Sequence, residues 1–317
     1  MVWENTLKKI TTQTAYQAAL QWVDQPINLH LINNQINCVY RFESEGKGFY
    51  LRLSHEQIRP QKEFLAAIDF QRHLLLNDAP VCAIQISKNG RYIETVCQDE
   101  LHFLAQVCHE VPGTIMHFNY QDKSTYYLWG QALARVHRAA KSYQAHEHQF
   151  KSWNDLWQET ADYLPNEESE VQDLFHKLDE QFGYFTVNHS DFGLTHGDHR
   201  LANVLYDGSQ MHFIDFDEPV YHWFIADIAK PFLDVYNIPY SEWSQQFAWM
   251  IEGYQSILSI DAQLLGAINA FSQMKSLDIY LWCKNNWYEP SAPGGTPREQ
   301  WLAELRHMAF TPIFNFK

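Results

Sequence analysis

The chain has 317 residues, of which 46% are hydrophobic, and it carries a formal net charge of −15 at pH 7. A chain of this length can bury the core of one large domain or of two lobes, and this composition excludes a disordered protein. The acidic excess would repel a phosphate backbone, so nucleic acid is not an expected partner. Because no run of about 20 apolar residues and no secretory signal pattern is found, we predict a cytoplasmic protein that does not engage a membrane.

The cysteines are odd in number, are scattered among apolar residues and never stand in C-x-x-C spacing. They are Cys38, Cys82, Cys97, Cys108 and Cys283. This pattern favours neither a disulfide framework nor a zinc site. We therefore predict buried, free thiols.

The N-terminal part of the chain is predicted to be rich in strands. Apolar residues at helical spacing predict one amphipathic helix up to about Asp24. Short alternating runs then predict a meander of strands over Ile27–Ile32, Cys38–Glu43 and Gly48–Leu53.

A second helix is predicted over Pro60–Leu76, with Phe64, Ile68 and Leu75 among its core positions. Three further apolar segments predict strands that end near Cys108. An N-terminal lobe over residues 1–108 is the expected result.

The remainder, residues 109–317, has mostly helical periodicity and is predicted to form a C-terminal lobe. One interruption, "NVLY" and "MHFIDF" around "DGSQ", predicts a β-hairpin with Asp207 and Gly208 in its turn. His109–Gly113 is the predicted joint between the lobes, and ligands commonly bind in clefts at such joints.

The predicted hairpin collects residues that suit phosphoryl transfer. It would bring Asn203 and Asp215 close together, and their amide and carboxylate oxygens are ligands that Mg²⁺ accepts. Asp198, in the turn before the hairpin, would then be free to orient an attacking hydroxyl and accept its proton. Taken singly, each of these residues is more often a turn or cap residue, so the hypothesis depends on their combination.

The segments "HGDHRLAN" and "FIDFD" together resemble the catalytic loop and metal-binding segment of the aminoglycoside phosphotransferase and choline kinase superfamily. His196, Asp198 and Asn203 match the family's H-x-D pattern with Asn five residues after the Asp, and Asp215 matches its metal-binding Asp. The resemblance implies an α+β, bilobed protein-kinase-like fold, with ATP and Mg²⁺ as cofactors. It also implies transfer of a phosphoryl group to a hydroxyl of a small molecule.

The resemblance assigns roles to further residues of the C-terminal lobe. His196 would support the catalytic loop by hydrogen bonding, and Asp227 would brace that loop. Asp217 is either a second carboxylate at the metal or a residue on the outer side of the strand end. His199 and Arg200 either face the γ-phosphate or acceptor, or are simply exposed to solvent.

In the N-terminal lobe, the resemblance points to Arg52 as the cation that holds the ATP phosphates, as in homoserine-kinase-type and stress-response-kinase-type relatives. Glu63, one helical turn before the position matched by Ala67, is the expected partner of Arg52. A surface ion pair of little consequence is the alternative.

The phosphate-covering loop would be "NNQIN", in which Asn34 and Asn37 can offer side-chain donors; an ordinary hairpin turn is the alternative. The adenine would bind to the backbone near Cys108 and Glu110.

The acceptor is predicted only as a class: a small hydroxyl compound, with or without an amine, such as an amino alcohol, a hydroxy amino acid or an amino sugar. Tyr280, Trp282 and Trp287 could stack on it, although aromatic residues at helical spacing are more often core. Two alternatives stay open, a nucleotide-binding pseudokinase-like regulator and a Ser/Thr protein kinase of the same fold. We expect a monomer or a homodimer.

Overall fold

A computed structural model describes residues 7–34, 36–57, 59–119, 121–145, 150–292 and 295–316. The chain divides into two compact units, one of residues 1–76 with 81–112 and one of residues 77–80 with 113–317. A large β-sheet characterises the first unit, and helices make up most of the second. The predicted α+β class, with a β-rich N-terminal part and a helical C-terminal part, is confirmed.

Among the described residues, the first unit is an antiparallel sheet with two helices. Its sheet has the order β1-β2-β3-β6-β4, with β5 also pairing with β6. The elements of this unit are helix α1 (Thr12–Ala19), strands β1 (Ile27–Asn34), β2 (Cys38–Ser44) and β3 (Lys47–His55), helix α2 (Gln61–Leu76), and strands β4 (Ile84–Gln85), β5 (Glu94–Gln98) and β6 (Leu101–His109).

Strict alternation produces the core of this unit. Every second side chain of β2, beginning with Cys38, is buried, and the same face of β3 adds Phe49, Leu51 and Leu53. These residues pack in one cluster with α1, which buries Ala15 and its neighbours. The period-2 pattern in the sequence is therefore enough to predict which side chains of β2 and β3 form this layer of the core.

Two details of the prediction were wrong in the first unit. Leu75 is 40% exposed, because Leu74 takes the inward position in the last turn of α2. Cys97 is exposed rather than buried, because it alternates with the buried Val96 and so lies on the outer face of β5.

The second unit contains most of the helices and two small antiparallel sheets, with strand orders β10-β9-β7 and β11-β8. Its elements are strand β7 (Thr114–Ile115), helices α3 (Lys123–Ala140), α4 (Trp153–Ala161) and α5 (Ser169–Gly183), strands β8 (Phe192–Leu194), β9 (Val204–Tyr206), β10 (Met211–Phe213) and β11 (Tyr221–Trp223), and helices α6 (Ile225–Ala229), α7 (Tyr240–Gln255), α8 (Ala262–Gly266), α9 (Ile268–Asn286) and α10 (Arg298–Phe310).

Helices α3 and α7 approach each other closely through two glycines. A Cβ atom on Gly130 would collide with the carbonyl oxygen of Met250, and one on Gly253 would collide with the carbonyl oxygen of Tyr127. The helix backbones therefore touch directly at these two points. This pair of helices supports the predicted catalytic loop, since α3 also contacts the nearby strands β8 and β10.

Within the described part of the chain, no helix combines the length and the apolar character that crossing a membrane requires.

Candidate active site

The predicted β-hairpin is present as β9 and β10, and it brings two predicted metal ligands to one end. Leu205 pairs with His212, and the Asp207 carboxylate accepts hydrogen bonds from backbone N–H groups in the turn. At the open end, the N–H of Ile214 donates to the carbonyl oxygen of Asn203 at 3.1 Å. Asp215 therefore follows directly after a residue that is bonded to Asn203.

The predicted catalytic loop, between β8 and β9, is held in place by hydrogen bonds to Asp227, the residue expected to brace it. Both carboxylate oxygens are used: Oδ2 accepts from the N–H of His196 at 2.7 Å and Oδ1 from the N–H of Gly197 at 3.1 Å. Asp227 is 2% exposed. Burial alone would raise the pKa of Asp227, but its hydrogen bond with His137 at 3.1 Å and the neighbouring histidines hold that pKa well below its ordinary value.

His199 completes this buried network and has no contact with solvent. Its Nδ1–H donates to the carbonyl oxygen of Asp227 at 2.7 Å, and its Nε2 accepts from the indole N–H of Trp129 at 3.1 Å. Because burial lowers the pKa of His199 to about 4, the ring is neutral at pH 7. Both alternatives for His199, a contact with phosphate and simple exposure, were wrong; Arg200 is exposed.

His196 ties the catalytic loop to the segment that carries Asp215. Its Nε2–H donates to the carbonyl oxygen of Ile214 at 3.0 Å, and its Nδ1 accepts from the N–H of Asp198 at 3.3 Å. The ring packs on Phe216 at 4.3 Å between centroids. Since both ring nitrogens are occupied by backbone groups, His196 positions the loop and is not available for proton transfer.

Asp198 is the acid of this loop that remains accessible, with 31% of its side chain exposed. The Asn203 side-chain amide donates to the carbonyl oxygen of Asp198 at 2.9 Å and to its Oδ2 at 3.3 Å. On the other side, Nζ of Lys230 lies 3.4 Å from Oδ1. The carboxylate is thus oriented by an amide and an ammonium, an arrangement suited to a base that must point at its substrate.

The predicted metal ligands form a hard-oxygen set. Asn203 is buried and donates from its amide nitrogen to Asp198, which leaves its amide oxygen as the atom that would bind a metal. Asp215 is exposed and Asp217 is half-buried. Asp215 has φ of +67°, a conformation that Asp tolerates better than most residues. One amide and two carboxylates are chemically appropriate for Mg²⁺, which takes few protein ligands.

Lys230 was missed in the sequence. It directly follows α6, is 11% exposed at its side chain, and reaches Asp198 from a position 32 residues later in the chain. Burial, opposed by the charge of Asp198, lowers the pKa of Lys230. No motif marks this lysine; the only signal is its position directly after "ADIA", the segment whose Asp227 braces the loop.

A cavity within the second unit opens beside the same loop. Its floor includes Gly197 and Lys230, and helix α9 adds Lys275 and Asp278 to its wall. Aromatic side chains complete the lining, with Trp153 and Trp157 from α4 and Phe271 from α9.

The aromatic residues predicted at the acceptor are not among the residues that line this cavity. Tyr280 and Trp287 are buried in the unit, at 6% and 7% exposure, and Trp282 is 37% exposed. For Tyr280 and Trp287 the alternative interpretation, packing in the core, describes their position.

In the first unit, Arg52 and Glu63 lie on different elements. Arg52 is half-buried in β3, paired across the sheet with Val39 and Gln106. Glu63 is exposed in the first turn of α2.

The Asn residues predicted for the phosphate loop flank the turn between β1 and β2. Asn34 ends β1, and its side-chain oxygen is buried without a hydrogen bond to any described residue. The side-chain oxygen of Asn37 accepts from Ser54 at 2.6 Å. Gln35, between them, lies outside the described residues.

The two residues predicted near the adenine lie at the end of β6. Cys108 is half-buried and pairs with Tyr50. The Glu110 carboxylate accepts two hydrogen bonds from the Arg41 guanidinium, at 2.7 and 2.8 Å, and this contact lowers the pKa of Glu110. Its N–H donates to Gly48, so the backbone carbonyl is the polar group of Glu110 left for a ligand.

The fold and this loop define a class, a phosphotransferase with a kinase-like fold. A family model described as "Phosphotransferase enzyme family" matches residues 29–248, which is more than half of the chain. The chain belongs to this family. The predicted superfamily and enzyme class, a small-molecule kinase, are confirmed.

Individual relatives are distant in sequence and similar in fold. Amicoumacin kinase of Bacillus subtilis (strain 168) is 23% identical over 290 residues, which cover 86% of this chain and 85% of that protein. A solved structure of an amicoumacin kinase in complex with AMP-PNP, Ca²⁺ and Ami has a TM-score of 0.85 at 22% identity, covering 100% of this chain and 98% of that one. A microcompartment-associated aminopropanol kinase has a TM-score of 0.72 at 20% identity, covering 94% and 95%.

Proposed function

We propose that this enzyme transfers the γ-phosphoryl group of ATP, with Mg²⁺, to a hydroxyl of a small acceptor molecule. One observation carries the proposal: the accessible Asp198 carboxylate is held by Asn203 and Lys230 within a loop that Asp227 fixes through two backbone amides. Relatives named as kinases of amicoumacin and of aminopropanol support a small hydroxyl acceptor.

In this mechanism, Asp198 orients the acceptor hydroxyl and accepts its proton as the hydroxyl oxygen bonds to the γ-phosphorus and ADP leaves. Asn203, Asp215 and Asp217 would hold the metal, which neutralises charge on the phosphates when bound. Lys230 places a positive charge 3.4 Å from Oδ1 of the base and helps to orient it. His196 maintains the distance between base and metal ligands through its two backbone hydrogen bonds.

The nucleotide is assigned to the N-terminal lobe, residues 1–108, and to the joint that follows it. Arg52 would hold the α- and β-phosphates, with Glu63 as its partner on α2. Asn34 and Asn37 would contribute polar contacts from the turn between β1 and β2. The adenine would bind to backbone groups near Cys108 and Glu110.

The test measures ADP released by the purified protein with Mg·ATP and a panel of amino alcohols, amino sugars and hydroxy amino acids. We expect acceptor-dependent release that falls about 100-fold or more in Asp198→Asn, because the base is lost while the size of the side chain is kept. The matched control is Asp173→Asn, at an exposed position of α5, which should retain full activity. Equal activity in both variants would refute the assignment of the base. ADP release that requires a protein Ser or Thr instead of a small acceptor would indicate a protein kinase.

A further inference from the structure

The cavity beside the catalytic loop carries two lysines from different elements, Lys230 after α6 and Lys275 on α9. We propose that this cavity binds the phosphoryl acceptor and that the acceptor carries a carboxylate near its reactive hydroxyl. The substrate class is thus a hydroxy acid, including hydroxy amino acids, and not a purely cationic amino alcohol. This inference rests on the proposed phosphotransferase function and specifies its substrate.

The first argument concerns the hydrogen-bonding capacity of Lys230. Its side chain is 11% exposed, and among the described residues it forms an ion pair with Asp198 at 3.4 Å, which is too long for a strong hydrogen bond. An ammonium group has three N–H donors, and burying them without acceptors is costly. An anionic oxygen in the cavity would accept hydrogen bonds from the N–H groups of Lys230 that Asp198 does not engage.

The second argument concerns Lys275, which adds a like charge to the same cavity. Its Nζ lies 3.5 Å from Oδ2 of Asp278, whose other oxygen accepts from Thr160 at 3.0 Å. Burial is the main cause that lowers the pKa of Lys230, Asp198 opposes it, and Lys275 adds a smaller repulsion between the two cations. A shared anion removes that repulsion, because it attracts both.

The acids around these lysines do not remove the need for an anion. Asp198 and Asp278 each make one long contact, with Lys230 and Lys275 respectively. Glu218 and Asp198 act on Lys275, and Asp234 acts on Lys230, only as neighbouring charges. Asp227 also lines the cavity, but both of its oxygens are taken by backbone amides. Asp278 additionally offers a place for an amino group, which is why hydroxy amino acids fall within the class.

The geometry also limits the distance between hydroxyl and carboxylate. Lys230 lines the cavity, as does Gly197, the residue before Asp198, and Nζ of Lys230 lies 3.4 Å from Oδ1 of Asp198. A hydroxyl at Asp198 and an anion at Lys230 would therefore be separated by only a few bonds. The rest of the lining mixes polar side chains, such as Ser272 and His222, with Trp153 and Phe271, which are available to pack on the body of the acceptor.

The experiment compares acceptors in pairs that differ in the carboxylate: serine with ethanolamine, homoserine with aminopropanol, and phenyllactate with its analogue that has methyl in place of carboxylate. Steady-state ADP release gives kcat/KM for each compound, and calorimetry with Mg·ADP present gives its affinity without turnover. Both are repeated with Lys275→Met, which keeps the length of the side chain and removes the charge. The control is Lys177→Met, at an exposed position of α5 that does not line the cavity.

We expect the carboxylate-bearing member to be favoured by about tenfold or more in kcat/KM or affinity, as a charge-assisted hydrogen bond provides. Lys275→Met should remove that preference and leave the KM for ATP unchanged, whereas Lys177→Met should keep it. A preference for the carboxylate-free members, or no binding of any carboxylate-bearing compound to a protein that binds Mg·ATP, would overturn the inference and leave the phosphotransferase assignment standing. Failure to bind Mg·ATP would instead refute the proposed function.

Discussion

Gly197, between His196 and the proposed base Asp198, occupies a position where no other residue fits. Its φ is +80°, and a Cβ atom there would collide with the carbonyl oxygen of Glu218. Gly197→Ala should therefore destabilise the protein by about 3 kcal/mol, from backbone strain and the collision together, and displace Asp198. Urea unfolding and kcat measure the two effects.

Gly208, in the turn of the β9–β10 hairpin, is the matched control. Its φ is also positive, at +94°, but a Cβ atom there meets nothing within 4 Å. Gly208→Ala should cost only about 1 kcal/mol of strain and leave kcat unchanged. Equal losses in both variants would mean that the contact with Glu218 does not determine the geometry of the loop.

Asp215 and Asp217 are both proposed at the metal, and single amide substitutions distinguish their contributions. Asp215→Asn keeps a residue that tolerates φ of +67°, so we expect normal stability together with a strongly raised Mg²⁺ requirement for turnover. Asp217→Asn should raise the Mg²⁺ requirement by a smaller factor than Asp215→Asn, because Asp217 is proposed only as the second carboxylate at the metal. A Mg²⁺ titration of ADP release decides this, and an unchanged midpoint in Asp215→Asn would refute its role as a ligand.

At this scale, the predictable residues were those of one continuous motif. Asp198, Asn203 and Asp215 lie within 18 positions of each other, and a local hairpin is enough to bring them together. Lys230 and Lys275 could not be predicted, because their approach depends on how α6 and α9 pack. That packing has no signature in the spacing of residues.

Helices α3 and α7 provide the test at the scale of secondary structure elements. Their contact through Gly130 and Gly253 leaves no room for a methyl group. Gly130→Ala or Gly253→Ala should destabilise the protein by about 1–3 kcal/mol, although alanine favours a helix over glycine by about 1 kcal/mol. Thermal unfolding measures the balance of the two effects.

Gly183, the last residue of α5, is the control for this pair because a Cβ atom there meets nothing within 4 Å. Gly183→Ala should be neutral or slightly stabilising. If all three alanine variants behave alike, helix propensity and not close packing governs these positions.

The elements that were predicted well are those with a strong local period. Strand β2 alternates strictly, β3 alternates up to Leu53, and the hairpin has an Asp-Gly turn, so the local sequence is enough to predict these elements. The side chains at element ends were less predictable. Leu74 and Leu75 are both apolar, and only the packing of the last turn of α2 decides which of them is buried.

For the whole molecule, the buried neutral histidines predict sensitivity to acid. Burial lowers the pKa of His199 to about 4 and that of His222 to about 3, whereas both titrate near 6.5 when unfolded. Below pH 6.5 the unfolded chain therefore binds protons that the folded chain does not, and the free energy of unfolding falls as the pH is lowered. His199 alone should account for about 2 kcal/mol between pH 7 and pH 5.

Urea unfolding at several pH values, with His199→Gln as the variant, measures this contribution. The variant should make the pH dependence between pH 7 and pH 5 less steep, since it removes the proton difference of His199, whose Nε2 accepts from the Trp129 indole. His189→Gln, at an exposed position, should retain the full slope. A slope that is unchanged in His199→Gln would place the acid sensitivity elsewhere.

The Asp227 brace has a consequence for how the molecule opens in solution. The N–H groups of His196 and Gly197 both donate to a carboxylate that is itself 2% exposed, so neither amide can reach solvent while that contact exists. Hydrogen–deuterium exchange at these two amides should be as slow as at the centre of α3, and it should not change when nucleotide is added. The loop that carries the proposed base would then be ordered before any substrate binds. Turnover would be limited by binding or release of ligands instead of by ordering of this loop.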